Sequence, residues 1–133
     1  MKANFPILVA TVLLATTANA DPPAGSSGAT LSPSGRFSEQ TGEALYVNVC
    51  QACHMSKGEG AIGAGRYPAL AKNEKLSSGG YVLYVVLNGQ KAMPPFARSM
   101  SDEQVAAVVN YVRGHFGNDY PDPVTADDVK STR

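Results

Sequence analysis

Two thiols and an imidazole lie close together at Cys50-Gln51-Ala52-Cys53-His54. Cysteines separated by two residues, with a histidine directly after the second, match the attachment pattern of a c-type haem. Each sulfur can form a thioether to one haem vinyl group, and the same helical turn aims His54 at the iron. One short stretch thereby fixes both the ring and a ligand. Two other chemistries use paired cysteines. A tetrahedral zinc site needs further Cys or His ligands, but this chain has two cysteines and two histidines in all, with no paired histidine motif. A redox pair of the thioredoxin type follows a strand in a βαβ pattern, which the flanking sequence does not show. A disulfide pair remains the alternative.

The elements that must carry this motif can be read from periodicity. Residues Glu39 to His54 place Gly42, Leu45, Tyr46, Val49, Cys50 and Cys53 at spacings of three and four, which predicts a helix running straight into the motif. Ser101-Asp102-Glu103-Gln104 is a capping box with acids where the helix dipole favours them. Val105, Val108, Val109, Val112 and Phe116 form the apolar stripe behind it, and Gly117 is a plausible stop. Between these helices, residues 57–65 hold too many glycines for a helix and predict a loop whose backbone can lie against a flat ring. Tyr81 to Leu87 has strand propensity but no second strand to pair with. Its flanks, Ser77-Ser78 and Asn88-Gly89, favour a helix.

Together these residues resemble class I cytochromes c over most of the chain beyond residue 38. In that family a glycine and an aromatic, eight and four residues before the first haem cysteine, cross the last helix beside an aliphatic and aromatic pair. Gly42 and Tyr46 match the first two, and Val108 and Tyr111 match the pair, with valine in place of the usual leucine. The resemblance implies an all-α fold in which N- and C-terminal helices cross and loops and a middle helix enclose one covalent haem c. It further implies that the Pro68 carbonyl accepts a hydrogen bond from His54, although Pro68 could simply end the loop. Met93, 39 residues after His54 in a loop stiffened by Pro94-Pro95, matches the axial methionine. The metal ligands implied are therefore His54 and Met93. Arg66 could pair with a haem propionate or stand as a solvated surface arginine. Tyr81 and Tyr84 could reach a propionate or be ordinary core tyrosines. Met55 adjoins His54 and cannot cross the ring, while Met100 and His115 flank the last helix.

Around this domain, residues 39–117, the composition changes. Met1 to Ala20 read as a cleaved secretory signal, with Lys2, an apolar run from Phe5 to Leu14 and Ala18-Asn19-Ala20 as cleavage site. An uncleaved anchor or a first helical turn is the other reading. Residues 21–38 are rich in Pro, Gly, Ser, Ala and Thr, which predicts a flexible arm, either a disordered leader or a segment that orders against a partner. Residues 118–133 form a tail in which Thr125-Ala126-Asp127-Asp128 could cap a short helix. Eleven Lys+Arg balance eleven Asp+Glu, so nothing points to nucleic acid. After signal cleavage no apolar run is long enough for a transmembrane segment.

Filling both axial positions removes the open iron site that oxygen or peroxide chemistry needs, and methionine raises the reduction potential. The function implied is therefore electron transfer without catalysis, located in the periplasm. Residues 67–70, the Met93 loop and the tail are similar to cytochrome subunits of periplasmic dehydrogenases. That likeness implies a flavo-, quino- or molybdo-enzyme as electron donor and a terminal oxidase or another cytochrome as acceptor. A freely diffusing carrier is the alternative, and a haem-based sensor or enzyme a third. Docking through an uncharged haem edge that includes Ile62, Ala92, Pro94 and Pro95 predicts modest salt dependence.

Overall fold

The computed structural model describes residues 31–63 and 65–133. The signal read at residues 1–20 and the first part of the arm, residues 21–30, lie outside the described residues.

The helix leading to the cysteine motif comes in three pieces: α1 (Gly42–Leu45), a π turn (Tyr46–Cys50) and α2 (Gln51–His54). It starts at Gly42 and not at Glu39, because the Thr41 hydroxyl accepts from the Ala44 N–H at 3.2 Å and so caps the first turn. A π turn takes up more residues than an α turn, so the face that packs on the core and the face that carries the cysteines need not coincide. Met55 then takes a left-handed φ of 65° and ends α2 directly after His54. The Tyr46 hydroxyl donates to the Met55 carbonyl at 2.6 Å and holds that terminus in place.

The partner of this segment is α4 (Asp102–Gly114), which begins with the full reciprocal capping box between Ser101 and Gln104. Gly42 sits at the crossing, where a Cβ would fall 2.2 Å from the Ala107 carbonyl oxygen and 2.7 Å from the Tyr111 Cβ. Only glycine permits that approach. One turn on, Tyr46 and Tyr111 pack with ring centroids 5.6 Å apart. Val105, Val108, Val109 and Val112 are buried as the stripe requires. Phe116 lies beyond the helix, which ends at Gly114, and its ring returns to meet Tyr46 at 4.7 Å.

The segment Tyr81–Leu87 is helical within α3 (Gly79–Asn88), capped by the Ser78 side chain, and it buries Val82, Leu83 and Leu87. The glycine-rich stretch departs from a plain loop, since β1 (Ala61–Ile62) and β2 (Arg66–Tyr67) pair antiparallel as a hairpin of two residues per strand. Both strands are too short to bury a face, so periodicity had no signal to register. A 3-10 turn (Glu74–Ser77) precedes α3. In the tail, Thr125 caps α5 (Ala126–Thr132), which packs on α3 and α4 through the fully buried Val129. The last residues of the arm also touch the domain: Phe37 packs against the core and donates its N–H to the Ser99 carbonyl at 3.0 Å.

Candidate functional site

A cavity of about 430 Å³ opens beside α2. Cys50, Cys53 and His54 line it together with Arg66 and Pro68 from the hairpin region and Met93 from the loop after α3. Six of the eight residues singled out for cofactor binding therefore meet at one space. Tyr81 and Tyr84 do not line it, and both are exposed on α3. Among the described residues, no α3 side chain lines the cavity. The buried side chains of α3 belong to the core it shares with α4 and α5, and it supports the cavity's Phe96 segment through backbone, the Val86 and Leu87 carbonyls accepting from Phe96 and Ala97 N–H at 3.0 and 3.3 Å.

His54 Nδ1 lies 3.0 Å from the Pro68 carbonyl oxygen. A carbonyl only accepts, so Nδ1 carries the donated proton, which leaves Nε2 as the ring nitrogen available to a metal. The hairpin sets this contact, pairing Ala61 with Tyr67 next to Pro68. Also lining the cavity, Gln90 and Met93 exchange both backbone hydrogen bonds, at 3.1 and 3.0 Å, in a tight turn. Gly89 makes that turn possible: its φ is 73°, and a Cβ there would fall 2.5 Å from the Met93 carbonyl oxygen.

Whether these residues fit a covalent haem can be tested on the site's own chemistry. Cys50 and Cys53 are not joined to each other in a disulfide. Burial, with the neighbouring Cys53 adding to it, pushes the Cys50 thiol up to about 12. A neutral sulfur, such as a thioether, tolerates that buried setting better than a thiolate does. Among the described residues no group of three or more His, Cys, Asp or Glu side chains converges, which leaves a zinc reading without ligands. The lining also holds Arg66, Lys75 and Lys91 but no carboxylate. None of these three cations forms an ion pair among the described residues. An apolar slot edged by unpaired cations suits a flat apolar ring with two carboxylate arms. The residues fit the group.

Lys75 and Lys91 lie 16 positions apart in the sequence, and no local pattern marks their convergence. Ile62, at the hairpin, is 87 % exposed, and Tyr67 beside it is also exposed. The lining of the cavity mixes apolar groups such as Tyr67 and Phe96 with cationic ones.

Tyr46 connects this site to alkaline stability. Burial, followed by the nearby Cys50 and Glu59, pushes its hydroxyl from 10.0 up to about 12. Between those values the folded chain keeps a proton that the unfolded chain has released, so stability is complete below pH 10 and falls as pH rises toward 12. Tyr46→Phe is expected to flatten that alkaline fall while costing about 1 kcal/mol at neutral pH for the lost hydrogen bond. Thermal midpoints measured from pH 7 to 12 check this, and an unchanged alkaline slope contradicts it.

Known proteins add the family. A family model described as "Cytochrome C oxidase, cbb3-type, subunit III" matches residues 38–112. The chain is 35 % identical over 112 residues to the gluconate 2-dehydrogenase cytochrome c subunit of Pantoea cypripedii, covering 71 % of this chain and 24 % of that protein. It is 35 % identical over 107 residues to the fructose dehydrogenase cytochrome subunit of Gluconobacter japonicus, covering 69 % and 22 %. It is 31 % identical over 75 residues to cytochrome c6 of Euglena gracilis, covering 53 % and 85 %. The chain spans about a quarter of the length of the dehydrogenase subunits it matches. With the cysteine pair, the histidine and the cation-edged cavity already in view, this chain belongs to the cytochrome c family and carries covalent haem c.

Proposed function

We propose that this chain is a periplasmic one-electron carrier whose iron is held by His54 and Met93. In this reading it receives electrons from a partner dehydrogenase and passes them to a terminal oxidase or another cytochrome. The observation that supports the reading is that His54 and the Met93 loop line the same cavity. The periplasmic address rests on the signal-like Met1–Ala20 and on the export that thioether attachment requires. Among the described residues no helix is long and apolar enough to cross a membrane.

When bound, the haem supplies a one-electron couple whose potential a methionine ligand raises. The chain's residues set the conditions for it. Pro68 fixes the His54 tautomer and ring angle. The Gln90–Met93 turn presents the thioether from a stiff backbone, which a weakly coordinating sulfur needs. Val49, Pro94 and Phe96 make the wall apolar, disfavouring the additional charge of the oxidised state. Arg66, Lys75 and Lys91 neutralise the carboxylate arms.

The dehydrogenase partner is inferred from the named subunits among the relatives. A freely diffusing carrier is favoured instead by the 85 % coverage of cytochrome c6, since the match spans nearly all of that protein. Met93→Ala tests the ligand set. The midpoint potential is expected to fall on the order of 100 mV, a fraction of the ~0.8 V span that axial ligands command, and the reduced protein is expected to bind carbon monoxide. An unchanged ferric spectrum and potential would remove Met93 from the assignment. Purification from the native host then separates the two readings, because a bound subunit travels with a larger catalytic chain.

A further inference from the structure

The segment that follows Met93 is held from three directions, and two of the holders lie outside the matched family segment 38–112. From α3 come the Val86 and Leu87 carbonyls already described. From the arm, Phe37 donates its N–H to the Ser99 carbonyl at 3.0 Å and sets its ring 6.2 Å from that of Phe96, itself part of the cavity wall. From the tail, Arg133 donates to the Ala97 carbonyl, to the Met100 carbonyl at 3.0 Å and to Asp102 Oδ1 at 2.5 Å. Arg133 follows α5, which the fully buried Val129 and the Thr125–Asp128 capping box seat against the domain. Its guanidinium is therefore delivered from a docked element and not from a loose end.

We propose that Phe37 and Arg133 are positioning residues that strap the exit of the Met93 loop and so keep the methionine sulfur on the iron. The proposal rests on the reading of Met93 as distal ligand. A thioether is a weak ligand, so its occupancy depends on how seldom the loop opens. Outside the Gln90–Met93 turn, the Met93 loop has no regular structure of its own. Its opening frequency is then set by what grips its exit, and the arm and tail contribute a backbone bond, a ring contact and three guanidinium bonds. Removing a hydrogen bond to a charged donor is expected to raise the open fraction about tenfold.

The test uses the full-length holoprotein, with carbon monoxide as the probe of the distal position in the reduced form and the midpoint potential as a second readout. Arg133→Gln is expected to speed carbon monoxide binding about tenfold, Phe37→Ala, which removes the ring contact and keeps the backbone bond, about threefold, and both to move the potential toward that of Met93→Ala. Lys130→Gln, on the exposed side of α5, is expected to match the wild type. If Arg133→Gln and Phe37→Ala lower the melting temperature but leave both readouts at wild-type values while Met93→Ala changes them, the strap is overturned and the ligand assignment stands. If Met93→Ala changes neither readout, the ligand assignment falls and the strap with it.

Discussion

Arg113→Met is expected to lower the unfolding free energy by roughly 3 kcal/mol or more, enough in a domain of this size to drop the melting temperature by more than about 10 °C. The guanidinium is 1 % exposed. It donates Nε to the Leu76 carbonyl at 2.9 Å, Nη2 to the Ser77 carbonyl at 3.1 Å and Nη1 to the Asp122 carbonyl, tying α4 to the 3-10 turn and to the tail. Methionine keeps the stem volume but leaves those acceptors without their donor. The ion pair with Asp122 is the lesser part, because that carboxylate is 72 % exposed and well solvated. Its backbone hydrogen bond and the Arg113 contact hold Asp122 below the usual carboxylate range. A depressed carboxylate contributes stability at neutral pH that is lost as pH falls through its folded value. Asp122→Asn should therefore cost little at pH 7 and reduce the acid sensitivity. Urea titrations of the holoprotein check both variants. A loss as large for Asp122→Asn as for Arg113→Met would show that the charge pair and not the carbonyl clamp dominates.

Gly42→Ala is expected to cost roughly 2–3 kcal/mol, and Gly42→Val to prevent stable folding. A Cβ at 2.2 Å from the Ala107 carbonyl oxygen meets backbone, which cannot rotate away. The helices must separate, and the Tyr46 and Tyr111 rings, 5.6 Å apart, lose their contact with them. Gly80→Ala is the matched control: it lies in α3 with nothing within 4 Å of the added Cβ, so helix propensity alone should make it neutral or stabilising by up to about 1 kcal/mol. Melting curves for the three variants decide the matter, and equal tolerance of alanine at both positions would show that the crossing is not tight.

These two residues differ in how visible they are beforehand. Gly42 is legible because a glycine eight residues before a haem cysteine has a known place in a known crossing. Arg113 is not, since an arginine in the last turn of a helix looks like a solvated cation favoured by the dipole. Its burial depends on the 3-10 turn and the tail converging on it from 36 residues upstream and 9 downstream. Nothing local in the sequence encodes such convergence.

What the sequence determined by itself was the local chemistry and local structure. The cysteine and histidine spacing, the capping boxes at Ser101 and Thr125, and the stripe of valines in α4 are short-range patterns, governed by helix periodicity and by hydrogen bonds between near neighbours. The tertiary structure alone decided which distant groups share a space. It gathered Lys75 and Lys91 with Arg66 at the cavity, turned Tyr81 and Tyr84 to solvent, and brought Phe37 and Arg133 to the exit of the Met93 loop. The physical reason is that these contacts join residues far apart in sequence. Their energies depend on how α3, α4 and α5 pack against each other, which no short window of residues contains.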